Sequence, residues 1–90
     1  MRKFSIYGAV FIFMNRGEKL KESDVTHSNH WPAEKYVLWP RGEYWDVRFR
    51  VRKGGKWDWL PIAEKPFANE ATAWQAASEH WLKHQANILR

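Results

Sequence analysis

The stretch EYWDVRFRVRKGGKWDWLPI, Glu43 to Ile62, alternates strictly on the first side of a Gly-Gly pair and resumes as a strand on the other. Successive side chains of an extended chain point to opposite sides, so Trp45, Val47, Phe49 and Val51 share one face and Tyr44, Asp46, Arg48, Arg50 and Arg52 share the other. Gly54 and Gly55 suit a two-residue turn of the primed type, since both positions accept positive φ without a Cβ clash. With both glycines in the turn, Lys53 pairs with Lys56, Arg52 with Trp57, Val51 with Asp58, Arg50 with Trp59, Phe49 with Leu60, Arg48 with Pro61 and Val47 with Ile62. Directly opposed residues share a face. Val47, Phe49, Leu60 and Ile62 are then assigned to the core, and an Arg/Trp surface to the opposite side.

Upstream, Lys35 to Trp39 reads as a short strand stopped by Pro40, with Arg41-Gly42 turning the chain. Lys3 to Met14 reads as one strand with two apolar faces: Phe4, Ile6, Val10, Ile12 and Met14 on one side, Tyr7, Ala9, Phe11 and Phe13 on the other. Such a strand is central in its sheet or packs against a partner chain, which makes it a route to a homodimer. Asn15 to Ala33 is charged, ends in Trp31-Pro32 and reads as a surface loop with space for one helical turn near Glu18 to Glu22.

Downstream, Asn69 is a good N-cap, Phe67 and Ala73 are placed to meet across it, and Glu70 complements the helix dipole. The Ala-rich run that follows predicts a helix over 70–86. Trp74, Ala77, Trp81 and Ile88 form its apolar stripe, and Lys83, His84 and Arg90 suit its negative end. The expectation is a single α+β domain over residues 1–90: an antiparallel sheet of three to four strands (3–14, 35–39, 43–53 and 56–62) with one C-terminal helix packed on one face.

Composition bounds the function. Ninety residues hold one modest core and no cleft between lobes, which excludes a large enzyme. No Cys is present, so disulfide scaffolds, thiolate zinc sites and thiol catalysis are excluded. Arg2 and Lys3 ahead of Ile6 to Met14 resemble the start of a signal peptide. The apolar run is too short to span a bilayer and no small-x-small cleavage site follows, so a cytoplasmic protein away from membranes is expected. The net charge of +5, with 15 Lys+Arg against 10 Asp+Glu, favours an acidic partner, nucleic acid first among them.

The candidate surface localises that charge. Tyr44, Arg48, Arg50 and Arg52 interleave with Trp57 and Trp59 on the face away from the helix, while Arg41, Lys53 and Lys56 extend it at the strand ends. Guanidinium groups present planar donors to phosphate oxygens or a guanine edge, and indoles hold those planes and offer flat apolar area to sugars and bases. A two-stranded ribbon also fits the major groove of duplex DNA. Two other readings fit the same residues: an exposed ladder that only stabilises the sheet, and a protein-binding patch, since Trp, Tyr and Arg dominate protein hot spots. The second corresponds to an inhibitor or adaptor of phage or mobile-element type that binds a host protein or ribonucleoprotein.

The order strand, tight turn, strand and Ala-rich helix, with KWDWLPIAEKPFANEATAWQAA at its heart, resembles the three-stranded-sheet-plus-helix DNA-binding domain of plant ethylene-response factors and of integrase arm-site-binding modules. The likeness covers Tyr36 to Leu82 and rests on the Arg/Trp strands, Phe67, the cap at Asn69 and Ala73, Ala76 and Ala77. It implies an open sheet face laid in the major groove with Arg and Trp as contacts. The chain departs from the family in having Pro61-Ile62 where a Gly follows the Trp strand, and in its added N-terminal strand and loop.

Other chemistry is weakly signalled. His80 and His84 share a helix face and His27 and His30 lie in the loop, so a four-His metal site can be drawn, but solvated histidines are the expectation. Glu43, Asp46, Asp58, Glu64, Glu70 and Glu79 are scattered, Asp46 and Asp58 being placed to pair with neighbouring Arg or Lys. No serine sits in a nucleophile elbow and no Gly loop cradles phosphate, so neither catalysis nor a cofactor is expected.

Overall fold

The computed structural model describes residues 1–21 and 34–88. The expected class is observed: α+β, a mostly antiparallel sheet and one C-terminal helix, with five strands rather than three or four. They are β1 (Arg2–Ile6), β2 (Ala9–Phe13), β3 (Lys35–Arg41), β4 (Tyr44–Lys53) and β5 (Lys56–Pro61), in the spatial order β1-β2-β3-β4-β5, followed by α1 (Glu70–Ile88).

The β4–β5 register is the one derived from the Gly-Gly turn, from Lys53 opposite Lys56 through Arg48 opposite Pro61. Gly54 and Gly55 both take positive φ, 55° and 82°. The ladder is prolonged beyond β5 by the Ile62 N–H donating to the Val47 carbonyl at 3.2 Å. Past it, Phe67 returns to exchange two backbone hydrogen bonds with Trp45, at 2.7 and 2.8 Å, so the start of β4 stays paired where β5 has ended.

Two boundaries differ from expectation. Residues 3–14 are a hairpin, not one strand. Tyr7 and Gly8 take φ of 57° and 81° and reverse the chain, putting Ile6 opposite Ala9 and Phe4 opposite Phe11. Positive φ is uncommon for Tyr; the Trp81 indole N–H donates to the Tyr7 carbonyl at 2.6 Å and holds the turn against the helix. The two-sided apolar pattern therefore belongs to β2 alone, whose five residues are all buried, while β1 is an edge. Nor does Pro40 stop β3: it pairs with Trp45, and the strand runs to Arg41 before Gly42 turns it at φ 62°.

The pairing of β2 with β3 is parallel, Phe11 beside Tyr36 and Ile12 beside Val37. Leu20 and Met1 pack with Val10, Ile12, Met14, Val37, Trp39 and Trp59 on the face away from the helix. Of the expected 15–33 loop, Asn15 to Glu18 form a tight turn, where Glu18 caps the Asn15 N–H at 2.9 Å and meets the N-terminal amine at 3.2 Å. The helical turn expected near Glu18 to Glu22 is not formed over the described residues 18–21, which run without regular structure after the Asn15–Glu18 turn; residues 22–33, with Trp31-Pro32, lie outside the described residues.

The other face carries the main core. Phe11, Tyr36 and Phe49 are register mates on three adjacent strands. Their rings stack, with centroids 5.1 Å apart at 12° and 4.7 Å apart at 23°. Helix α1 lies over β3 and β4 and adds Ala73, Ala77 and Trp81, with Trp74 edge-on to Phe11 at 4.8 Å. The Asn69 side chain accepts from the Thr72 N–H at 2.8 Å, as an N-cap should. The helix runs to Ile88, so Lys83 and His84 sit inside it rather than in its last turn, and Arg90 lies outside the described residues.

Trp81→Phe removes the indole donor that holds the hairpin turn and part of a buried ring. Its expected cost is about 1–3 kcal/mol, read as a lower urea midpoint, with faster amide exchange at Gly8 and Ala9 than elsewhere in the sheet.

Candidate nucleic-acid interface

Strand parity places Trp39 and Arg41 of β3 and Tyr44, Asp46, Arg48 and Arg50 of β4 on the helix-distal face, with Trp59 opposite Arg50. The grouping anticipated from the hairpin register is present; among the described residues the middle of the face is closed and its β3–β4 end is open. Arg50 is 5% exposed and Lys35, one strand away on the same face, 8%. Arg50 lies 5.9 Å from the Trp59 ring, and Trp59 packs into the second apolar cluster. Burial lowers the Lys35 pKa below its usual value, with the nearby Arg50 charge adding to the effect. Arg50 is thus buried in the body of the sheet and Trp59 is half-buried against the second apolar cluster, so this part of the face is less open than the resemblance implies. For Arg52, Lys53 and Trp57 the described feature is their backbone register; Lys56 is exposed beside the turn.

The open end is organised around Asp46. Arg41 Nη1 and Arg48 Nε both donate to Asp46 Oδ2, each at 3.3 Å. Arg48 also lies 5.0 Å from the Trp39 ring centroid, in cation–π range. One carboxylate oxygen thereby orients two guanidinium groups, each of which carries five N–H donors. They border a cleft of about 470 Å³ whose far wall is built from Pro61, Ala63, Lys65 and Pro66. Tyr44, half exposed, stands at the adjacent strand end. The trio has a net charge of +1, and Lys65 faces it across the cleft beside Glu64.

Of the sequence-derived site, Arg41, Tyr44 and Arg48 come together here, Lys56 lies at the far end of the hairpin, Arg50 is buried and Trp59 is half-buried beside it. Asp46 pairs with Arg as anticipated, whereas Asp58 accepts from the Trp59 backbone N–H at 2.8 Å. Lys65 and Trp39 were not anticipated as site residues. Trp39 sits on the Arg48 face by the same parity rule and was legible; Lys65 arrives only through the return from β5 to the helix, which no local pattern encodes.

The helix histidines are not solvated as expected. His80 Nδ1 lies 2.5 Å from the Tyr36 hydroxyl, and its ring is edge-on to Tyr36 and Phe49. His84 packs on Phe49 and Trp81. Burial raises the Tyr36 pKa, and burial followed by the His84 charge lowers that of His80. Both shifts favour the neutral forms, and the two groups share one hydrogen bond whose donor is set by the imidazole tautomer. Among the described residues no group of three His, Cys, Asp or Glu is placed to hold a metal, and no helix is long and apolar enough to cross a membrane. His27 and His30 lie outside the described residues.

No protein-family model matches the chain, and neither a curated protein nor a solved structure is significantly similar to it.

Because the His80 pKa is lowered on folding, the unfolded chain takes up that proton first as pH falls. The His80 contribution is intact above its ordinary value of 6.5 and is lost progressively below it, toward the depressed folded value. Urea midpoints at pH 7.5 and 5.0 are expected to fall with acid, and those of His80→Gln, whose amide can donate to or accept from Tyr36 without a titrating ring, to fall less.

Proposed function

We propose that this protein is a small basic nucleic-acid-binding accessory protein that grips duplex DNA with the open end of its helix-distal sheet face. One observation carries the reading: Arg41 and Arg48 are held by a single Asp46 oxygen at the rim of a cleft, with most of their donors uncommitted to it. Pre-oriented guanidinium pairs suit phosphate oxygens, because little side-chain freedom remains to be lost on binding. Lys65 supplies charge across the cleft and Lys56 reaches a flanking phosphate from the far end of the hairpin. Tyr44 and Trp39 offer flat apolar area to a sugar or base. The likeness of Tyr36–Leu82 to the sheet-plus-helix DNA-binding domains points the same way, with the contact surface narrowed from the whole Arg/Trp face to its β3–β4 end. A cytoplasmic location accords with this role.

A second reading draws on the burial of Arg50 beside the half-buried Trp59, which removes part of the positive stripe a long phosphate track requires. What remains, Arg41, Tyr44, Arg48 and Trp39, has the composition of a protein hot spot. In that reading the chain is an inhibitor or adaptor of phage or mobile-element type that engages a host protein or ribonucleoprotein complex through the same cleft.

Gel-shift titration of duplex DNA, single strands and RNA across several salt concentrations separates the two. With Arg41, Arg48, Lys56 and Lys65 as the contacting cations, log affinity for duplex is expected to fall against log salt with a slope of about −3 to −4, at −0.9 per phosphate. The double substitution Arg41→Ala, Arg48→Ala is expected to bring that slope to about −2. A salt response that is flat, or unchanged in the double variant, overturns the nucleic-acid reading. Specific capture of one protein with no DNA shift supports the second.

A further inference from the structure

The return of the chain from β5 to the helix also builds a wall. Ile62 is bonded to Val47 and Phe67 to Trp45, so residues 63–66 loop out of the sheet opposite a single β4 residue, Asp46. An excursion tied by ladder bonds at both ends, with Pro61 before it and Pro66 inside it, has little freedom to drift. It faces Arg41 and Arg48 across the cleft of about 470 Å³ and contributes Ala63, Glu64, Lys65 and Pro66 to the lining. Glu64 and Lys65 are exposed, and neither is engaged by another described residue. The cleft lies at the Arg41 end of β3, roughly 20 Å along the strand from Lys35, where the chain enters it.

We propose, on the reading of this end of the sheet as a nucleic-acid site, that its cleft takes a nucleotide by a phosphomonoester: the phosphorylated end of a strand, or a free nucleoside monophosphate. Charge favours the monoester. Arg41, Arg48 and Lys65 against Asp46 leave +2 around the cleft, and a phosphomonoester carries about −1.5 to −2 at neutral pH on its terminal oxygens. A phosphodiester within a strand carries a single charge. The donors are disposed to share such a group. Arg48 gives Nε to Asp46, which leaves both of its terminal nitrogens, and Arg41 gives Nη1, which leaves Nη2 and Nε.

The rest of the lining selects a nucleotide over a bare anion. Glu64 lowers the total to +1 and works against a free phosphate ion, whereas a nucleotide offers it sugar hydroxyls and base N–H groups from which to accept. Pro61, Ala63 and Pro66 supply an apolar wall for sugar and base. The volume falls within the range of small-ligand pockets, roughly 300–1,000 Å³. A base inside a duplex must be unpaired and unstacked to enter a cleft, a cost that a strand end largely avoids.

One duplex carrying either 5′-phosphate or 5′-hydroxyl ends is titrated with the full chain at fixed salt, and amide shifts are recorded with thymidine 5′-monophosphate, thymidine, inorganic phosphate and a phosphoserine peptide. The phosphorylated duplex is expected to bind about tenfold tighter, as added charge-assisted hydrogen bonds warrant. Of the four small ligands the nucleotide is expected to bind tightest and to shift residues 41, 46, 48 and 63–65. Lys65→Ala is expected to cut the duplex preference to about twofold or less, and Glu64→Gln to narrow the gap between inorganic phosphate and the nucleotide. Equal affinity for the two duplexes with a steep salt response and no nucleotide shifts overturns the phosphomonoester site and leaves the nucleic-acid reading standing. Nucleotide shifts at these residues with no duplex bound support the free nucleotide as the source and overturn the duplex reading instead. Inorganic phosphate or the phosphoserine peptide binding as tightly as the nucleotide to the unsubstituted chain overturns the assignment to a nucleotide.

Discussion

Tyr36 is fixed from three directions, and the rest of the structure is arranged around that. Phe11 and Phe49 hold its ring from the two neighbouring strands, and His80 meets its hydroxyl from the helix. A buried phenol without a partner would carry a desolvation cost of about 1–3 kcal/mol, so the helix must present a hydrogen-bonding partner at that point. This settles where α1 crosses the sheet: His80 over Tyr36, Ala73 and Ala77 close against the strands, and Trp81 carried outward to the Tyr7-Gly8 turn. The parallel β2–β3 seam depends on the same ring, since Phe11 and Tyr36 are its register mates.

With the helix committed to one side, the other side of the sheet divides unequally. Toward β2 it is apolar and receives Leu20 and Met1; toward the β3–β4 turn it is polar and open. Arg50 and Arg48, two residues apart on the same strand and face, consequently have different environments. Arg50 sits in the packed body beside Lys35 and Trp59, whereas Arg48 reaches the rim, where Asp46 and Trp39 hold it. Alternation assigns a side chain to a face, but its distance from the end of the sheet decides whether that face meets water.

The same distinction marks what was legible in the sequence. The β4–β5 register followed residue by residue from two glycines and strict alternation, the Asn69 cap from its side-chain chemistry, and the Trp74, Ala77 and Trp81 stripe from helical spacing. These are local rules, each satisfied within a few residues of its signal. The split of residues 3–14 was missed because Tyr-Gly lacks the Asn or Asp usual at a primed turn, and what stabilises it, Trp81, lies on the far side of the chain. Likewise the hydroxyl partner of Tyr36 and the approach of Lys65 to Arg48 arise from tertiary placement. The candidate site was therefore readable as a set of residues sharing a face, while its division into buried and open halves was not.

The parallel seam also shapes how the molecule is assembled. Strands β3, β4 and β5 form a meander joined by short turns, and β1–β2 is a hairpin closed by two residues, so both draw on partners near in the chain. The seam between β2 and β3 joins them only after the chain from Met14 to Glu34 is looped back, at an entropic cost that precedes any reward. Such non-local closure is the slow step in chains of this kind. Until it occurs, β2 exposes Val10, Phe11, Ile12 and Phe13 without their eventual neighbours, and this short run is the part of the chain most exposed to aggregation on the ribosome or during refolding.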